Sequence, residues 1–307
     1  MNNIAEIGKK IYRINYHKEL KRYIYFRLRA FFNSARMDRI DKYYHQDQVR
    51  AQIAEVYPFV YEQPQRAFFY NKSTFDERIQ LMEDHMDTMV DFFPAETIYD
   101  IYRGEERVLW NIDFEEQPLR LALKFENGQR KEGALSIMVR LGERNLYQMI
   151  FWLGKTPIID KETDKSSRNL YIGAMQGPNG EEPKEIIKRL TKFCHGYRTK
   201  NLILYATQAV ARSMGVEHIY AVTNSGYYAM NHLRSDRKLK TSFDDFWQEA
   251  GGTQCADSRF YELPLREQRK NAEEIPTRKR AVYRRRFALL DEIDSSIEAK
   301  MAELKRK

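Results

Sequence analysis

A basic, glycine-containing stretch, His195-Gly196-Tyr197-Arg198-Thr199-Lys200, stands just before a run with helical spacing. A helix start presents backbone N–H groups without intrahelical partners and the positive end of the helix dipole. Gly196 lets the backbone approach closely, and Arg198 and Lys200 add fixed charge. Together these residues suit a diphosphate. They suit an ordinary helix cap with solvated cations equally well. The spacing is neither a Walker loop nor the dinucleotide-binding fingerprint. His195 titrates near neutral pH and can bind phosphate or act as a base; a loop histidine can also simply hydrogen-bond to backbone.

Further candidates lie on both sides of this stretch. Gln176 ends the apolar segment Asn169 to Met175, which also holds Gly173 and Ala174. Carboxyl ends of strands tend to build sites, and backbone N–H groups near Gly173 to Met175 can polarise a carbonyl. Asn224 ends a second such segment, although Asn before Ser-Gly is also a common turn residue. Tyr228 follows one turn later and can serve as a general acid. With twenty tyrosines in the chain, packing is the competing role. The block Phe243 to Gly252 holds Asp244, Asp245, Trp247 and Glu249. Asp245 and Glu249 share a helical face, so the block reads either as a pocket for a cationic amine, with Asp244 and Trp247 contacting substrate, or as a solvated helix anchored by Trp247. Two cysteines, Cys194 and Cys255, make no disulfide framework or zinc cluster. No His/Cys/Asp spacing supports a metal, and no serine sits in a nucleophile elbow.

These residues need elements to position them. Ile4 to Phe32 reads as helical, dense in Lys, Arg and aromatics, with Ile14 and Phe26 on a core stripe. Such a helix can lie on a membrane or nucleic acid, but more commonly turns its aromatics inward. Ser73-Thr74-Phe75-Asp76-Glu77 predicts a helix start, with the helix running towards Phe93 and stopping before Pro94. Tyr99 to Tyr102, Arg107 to Phe114, Leu119 to Glu126, Ala134 to Leu141, Leu146 to Gly154 and Asn169 to Met175 predict an antiparallel meander, with turns at 126–128 and 142–145. The pattern then becomes helix (Lys184 to Cys194), helix (Asn201 to Met214, capped by Gly215), strand (His218 to Thr223) and a helix through Tyr227, Tyr228 and Leu233. The tail is basic and helical, with Arg278-Lys279-Arg280 and Arg284-Arg285-Arg286 around Tyr283, fraying from Ile297 to Lys307.

The 307 residues suffice for one large domain or two modest ones. A net charge of +8 favours anionic partners or simple solubility. The N-terminus shows no apolar h-region, and the longest apolar-rich run, Leu202 to Ala211, is too short to span a bilayer. The expected location is the cytoplasm, with contact at the inner membrane surface left open.

Strand, basic Gly loop, helix, strand, Asn, and helix with Tyr is an order that resembles the Gcn5-related N-acyltransferases (GNAT). Arg198-Thr199-Lys200 stands where such enzymes carry Arg/Gln-x-x-Gly-x-Gly/Ala, without the second glycine. The resemblance implies a loop that cradles the pyrophosphate of coenzyme A, a preceding strand that pairs with its pantetheine arm, and Tyr228 as acid.

A second resemblance covers most of the chain. Ile172 to Pro178, Thr191 to Arg198, Ala221 to Asn224, Phe243 to Gly252 and Glu274 to Ala281, in that order, are similar to the bacterial VirK/YbjX family. It implies a role in envelope maintenance, resistance to antimicrobial peptides, or virulence, and leaves the chemistry open.

The expected architecture is α+β: a helical region over 1–95, a GNAT-like core over 96–265 with a mixed, mostly antiparallel sheet, and a basic helical tail over 266–307. The expected function is acyl transfer from a coenzyme A or carrier thioester to an amine or hydroxyl. Tyr228, Asn224 and His195 would be catalytic; Gly173, Ala174, Gln176 and His195 to Lys200 would bind cofactor. The alternative is a non-catalytic protein whose tail contacts RNA or, by preference, an anionic membrane surface.

Overall fold

A computed structural model describes residues 4–125, 127–155, 159, 167–178, 182–231 and 242–306. Its centre is one eight-stranded sheet: β1 (Arg107–Phe114), β2 (Gln117–Lys124), β3 (Leu135–Leu141), β4 (Arg144–Gly154), β5 (Asn169–Gln176), β6 (His218–Val222), β7 (Thr253–Gln254) and β8 (Phe260–Leu263), in the order β1-β2-β3-β4-β5-β6-β8-β7. Every neighbouring pair is antiparallel except β5 with β6. The chain is thus α+β with a mixed, mostly antiparallel sheet. The meander β1 to β5 follows the predicted segments closely, because alternation and turn residues are local signals. The turn residue Glu126 lies outside the described residues.

A parallel neighbour requires a crossover. Two helices, α7 (Glu182–Phe193) and α8 (Thr199–Ser213), make it. Gly215, at φ +69°, ends α8 in the left-handed conformation that glycine adopts without penalty. Residues of β3, β4 and β5 are buried almost without interruption, which requires cover on both faces of the sheet. α5 (Phe75–Phe92) and α8 both lie against β4, and the long α10 (Arg280–Leu304) lies on α8 and β1. α10 buries Leu290, Ile293, Ile297 and Met301. Just past its end, Arg306 N–H donates to Phe92 O at 2.7 Å. Lys307 lies outside the described residues.

α5 begins with a complete capping box, Thr74 with Glu77, as the sequence predicts. Tyr99 to Tyr102 is not a strand. It closes α6 (Ala95–Tyr102), where Ile98, Tyr99, Ile101 and Tyr102 turn inward, so helical burial overrides a β-rich composition. The N-terminal stretch divides into α1 (Ile4–Ile11) and α2 (His17–Phe32), followed by α3 (Ser34–Tyr44) and α4 (Gln48–Val56). Its aromatics do not all face inward. Tyr12, Tyr23 and Phe26 are buried, whereas Tyr16, Tyr25, Phe31 and Phe32 are exposed, as is Ile14. After Asn224 the described chain forms a short 3-10 turn, Tyr228–Asn231; Leu233 lies outside the described residues. The helix α9 (Phe243–Glu249) follows.

Candidate functional site

The pairing of β5 with β6 runs from Asn169 opposite His218 to Ile172 opposite Ala221 and stops there. Beyond it the strands take different partners. β5 stays with β4 through a bulge at Gly173, which sits between the Ile172–Phe151 and Ala174–Ile150 pairs. The chain after β6 stays with the β8 side: Thr223 N–H donates to Arg259 O at 2.8 Å. Bulges of this kind accumulate beside functional sites because they re-aim backbone groups.

Three connections converge on the divergence. The segment Phe68 to Asn71 bridges it, with Phe69 N–H on Lys131 O and Asn71 N–H on Gly226 O, both at 2.7 Å. Phe69 is held at φ +64°, a strained conformation for a bulky residue, while its ring is fully buried against Tyr171 and Phe260. The β2–β3 connection lays Glu132 over Gly173 so closely that an added Cβ would stand 1.9 Å from Glu132 O. Only glycine fits there.

Glu132 is the chemical centre of this cluster. It is 7% exposed, and burial pushes its carboxyl above the ordinary range, against the hydrogen bonds that favour its charge. Tyr227 donates to Glu132 Oε1 at 3.0 Å, and the Tyr228 hydroxyl also bonds to the carboxylate. The Lys131 ammonium lies over the Tyr228 ring. A protonatable carboxyl held by two phenols beside a bulged strand end can exchange protons with a bound molecule.

The other predicted residues fall into three groups. Asn224 and Asp244 position the end of β6: Asn224 N–H donates to Asp244 Oδ1 at 2.8 Å, Asn224 Oδ1 accepts from Phe243 N–H at 2.7 Å, and Ser242 caps α9. Trp247 is completely buried and donates its indole N–H to Val222 O at 2.9 Å. Ala174 is buried in the sheet, and Gln176 accepts from Gln129 Nε2 at 3.0 Å, extending a polar chain through Gln148 to Ser136.

The loop His195 to Lys200 forms the third group. The N–H groups of His195, Gly196 and Tyr197 close the end of α7 on Lys192 O, Thr191 O and Cys194 O. α8 begins after Arg198 with no side-chain cap, and the buried Thr199 Oγ1 has no hydrogen-bond partner. Arg198 Nη1 and Lys200 Nζ both hold Glu249, at 2.6 and 2.7 Å. Arg286 of α10 donates to His195 O at 2.9 Å. Desolvation, then the nearby Arg285 and Arg286, hold the pKa of His195 below its ordinary value. Tyr197 donates to Glu267 at 2.5 Å and lines a cavity of about 320 Å³ with Asn201, Gln208, Glu249 and Pro264. α9 joins the groups, with Asp244 near its start and Glu249 at its end, roughly 10 Å of helix.

A family model described as "Protein of unknown function (DUF535)" matches residues 15–299. The chain belongs to the DUF535 family. Among its relatives, YbjX of Escherichia coli K12 is 37% identical over 131 residues, 42% of this chain and 39% of YbjX. An uncharacterized protein of Haemophilus influenzae is 33% identical over 132 residues, 43% of this chain and 44% of the relative. A "Membrane protein LapB" of Mannheimia haemolytica is 36% identical over 58 residues, 19% of this chain and 26% of that protein. The chain thus spans less than half the length of these curated relatives. No solved structure matches.

In this DUF535 chain the sequence reading missed Glu132, Tyr227 and Arg286 as site residues. Lys131-Glu132-Gly133 looks like any polar connection, and Arg286 like one more cation of the tail. Neither carries a local signal of what it meets. Among the described residues no cluster of His, Cys, Asp and Glu is arranged to hold a metal, and no helix is long and apolar enough to cross a membrane.

Proposed function

We propose that this protein transfers an acyl group from a coenzyme A or carrier-protein thioester to an amine or hydroxyl acceptor. The observation that carries the reading is the β5–β6 divergence after Ile172 and Ala221, with a bulge at Gly173 and an ionisable cluster beside it. A GNAT-like core has this plan: a thioester lies along the bulged strand and the acceptor meets it where the strands part.

The α8 loop suits the diphosphate of coenzyme A. Its first turn is uncapped, Thr199 Oγ1 is buried without a partner, and Arg198, Lys200 and Arg286 gather around it. Glu249 stands between Arg198 and Lys200 as an anion would. Exposed ion pairs contribute only about 0–1 kcal/mol, so a more highly charged diphosphate can replace it.

Bound acyl-coenzyme A would supply the activated thioester carbonyl, with coenzyme A as the leaving thiol. Glu132 takes the proton of the attacking amine or hydroxyl as the new carbon–nitrogen or carbon–oxygen bond forms. Tyr228 gives its proton to the sulfur as the carbon–sulfur bond breaks. The hydrogen bond between Glu132 and Tyr228 returns the proton, so the site ends as it began. Asn224, Asp244 and Trp247 hold the chain on which Tyr228 is carried.

Calorimetry with acetyl-coenzyme A tests the reading. Wild type should bind, Arg198→Ala should bind a few-fold to about tenfold more weakly, and Glu132→Gln should bind but not turn over. A wild-type chain that gives no heat sinks it.

A non-catalytic reading has one supporting observation: Arg284 and Arg285 are exposed on α10, free to meet an anionic surface or RNA. The relative named a membrane protein favours the surface. Either activity fits a bacterial protein of envelope maintenance, antimicrobial-peptide resistance or virulence.

A further inference from the structure

Of the eleven large hydrophobic side chains exposed among the described residues, eight lie between Ile14 and Phe32, so the exposed apolar surface is concentrated on and just before α2. At 3.6 residues per turn, Leu20, Ile24, Leu28, Phe31 and Phe32 fall on one stripe roughly 120° wide. Phe31 and Phe32 are 75% and 78% exposed. The opposite side of the same helix is fixed to the protein through Tyr23, Phe26 and Ala30, with Gly8 of α1 so close that a Cβ there would meet the Tyr23 ring at 2.6 Å. α2 therefore has two apolar faces, and the fold uses one.

The charges follow the outer stripe. Lys18, Arg22 and Arg29 run along one margin, Arg27 along the other, and Lys21 within it; all are exposed. The single acid of α2, Glu19, is engaged by Arg13. Five cations against one acid select a negatively charged occupant. A second copy of this chain, stacked α2 on α2, would bring the two sets of cations together. Nucleic acid would leave Leu20, Ile24 and Leu28 without an apolar phase. An anionic bilayer satisfies both features, since the stripe enters the acyl boundary while long cationic side chains reach the headgroups.

We infer that the outer face of α2 is a peripheral membrane-binding surface, selective for anionic lipid. α2 lies in the plane of the interface, with Phe31 and Phe32 as its deepest side chains. This inference is independent of the acyl-transfer reading and assigns no role to the tail.

The test is co-sedimentation of the full chain with phosphatidylcholine vesicles, with and without phosphatidylglycerol. Wild type should bind the anionic vesicles and lose most of that binding at high salt. Ile24→Ser with Phe31→Ser and Phe32→Ser should weaken binding at least about tenfold, with an unchanged melting temperature because these side chains are exposed. Lys18→Glu with Arg22→Glu and Arg29→Glu should do the same. Val56→Ser with Val108→Ser, exposed hydrophobics away from the stripe, should bind as wild type. Three results overturn the inference. One is wild type remaining in the supernatant with anionic vesicles. Another is a serine stripe variant that binds as wild type while Arg284→Ser with Arg285→Ser does not. The last is a solution dimer that the stripe variant breaks in a protein that ignores vesicles.

Discussion

Tyr227 donates its hydroxyl to Glu132 Oε1 across 3.0 Å, tying the β2–β3 connection to the turn that follows β6. Ninety-five positions apart in sequence, the two meet beside the point where β5 and β6 separate. Burial holds the Glu132 carboxyl above its ordinary range. The folded chain therefore binds that proton more tightly than the unfolded chain, whose carboxyl titrates near 4.3, or about that. The resulting stability is complete below the unfolded value and lost as pH rises through the folded one. Glu132→Gln removes this titration. Its melting temperature relative to wild type should rise as pH climbs above about 4; a difference flat with pH would refute the assignment. Tyr227→Phe should cost about 1–3 kcal/mol by leaving the carboxylate short of a donor, measured by urea unfolding at neutral pH.

Gly173 and Gly104 separate two reasons for glycine. A Cβ on Gly173 would meet Glu132 O at 1.9 Å, whereas at Gly104, φ +89°, nothing lies within 4 Å. Gly173→Ala should destabilise by about 3 kcal/mol or more, because backbone must move. Gly104→Ala should cost only about 1–2 kcal/mol, the penalty for a side chain in a left-handed conformation. Denaturant midpoints of the two variants decide the order.

Glu249 and Arg198 should act in opposite directions on ligand binding. The carboxylate of Glu249 competes for Arg198 and Lys200. If the loop holds a diphosphate, Glu249→Gln should tighten coenzyme A binding and Arg198→Ala should weaken it, each by a few-fold to about tenfold. Titration calorimetry of both variants against dephospho-coenzyme A and pantetheine shows whether the effect follows the diphosphate. Equal changes for pantetheine would place the ligand elsewhere.

Both cysteines should be quiet towards thiol reagents in the folded chain. They are free, and burial lifts Cys194 to about 12 and Cys255 to about 11. Little thiolate is then present near neutral pH, and the thiolate is the nucleophile. Labelling with a disulfide dye should be slow until urea unfolds the protein. A fast phase from Cys194 in the native state would contradict its buried placement.

What the sequence determined by itself is the local part. The capping box at Thr74 and Glu77, the meander from Arg107 to Gln176, the α8 helix closed by Gly215 and the crossover to His218 all rest on spacing, turn residues and caps within a few positions of one another. The loop at His195 to Lys200 was legible for the same reason. The tertiary structure alone decided what those elements meet. Glu132 lies in an unremarkable polar connection and becomes ionisable at an unusual pH only because Gly173 and the two tyrosines enclose it. Arg198 and Lys200 read as available charge, and Glu249 engages both. α2 carries apolar residues on two faces, and its sequence cannot say which is covered; packing by α1 and the core buries Tyr23 and Phe26 and leaves Phe31 and Phe32 outside. Local patterns fix φ, ψ and periodicity. Desolvation and charge pairing depend on partners far away in the chain, and so are properties of the folded molecule alone.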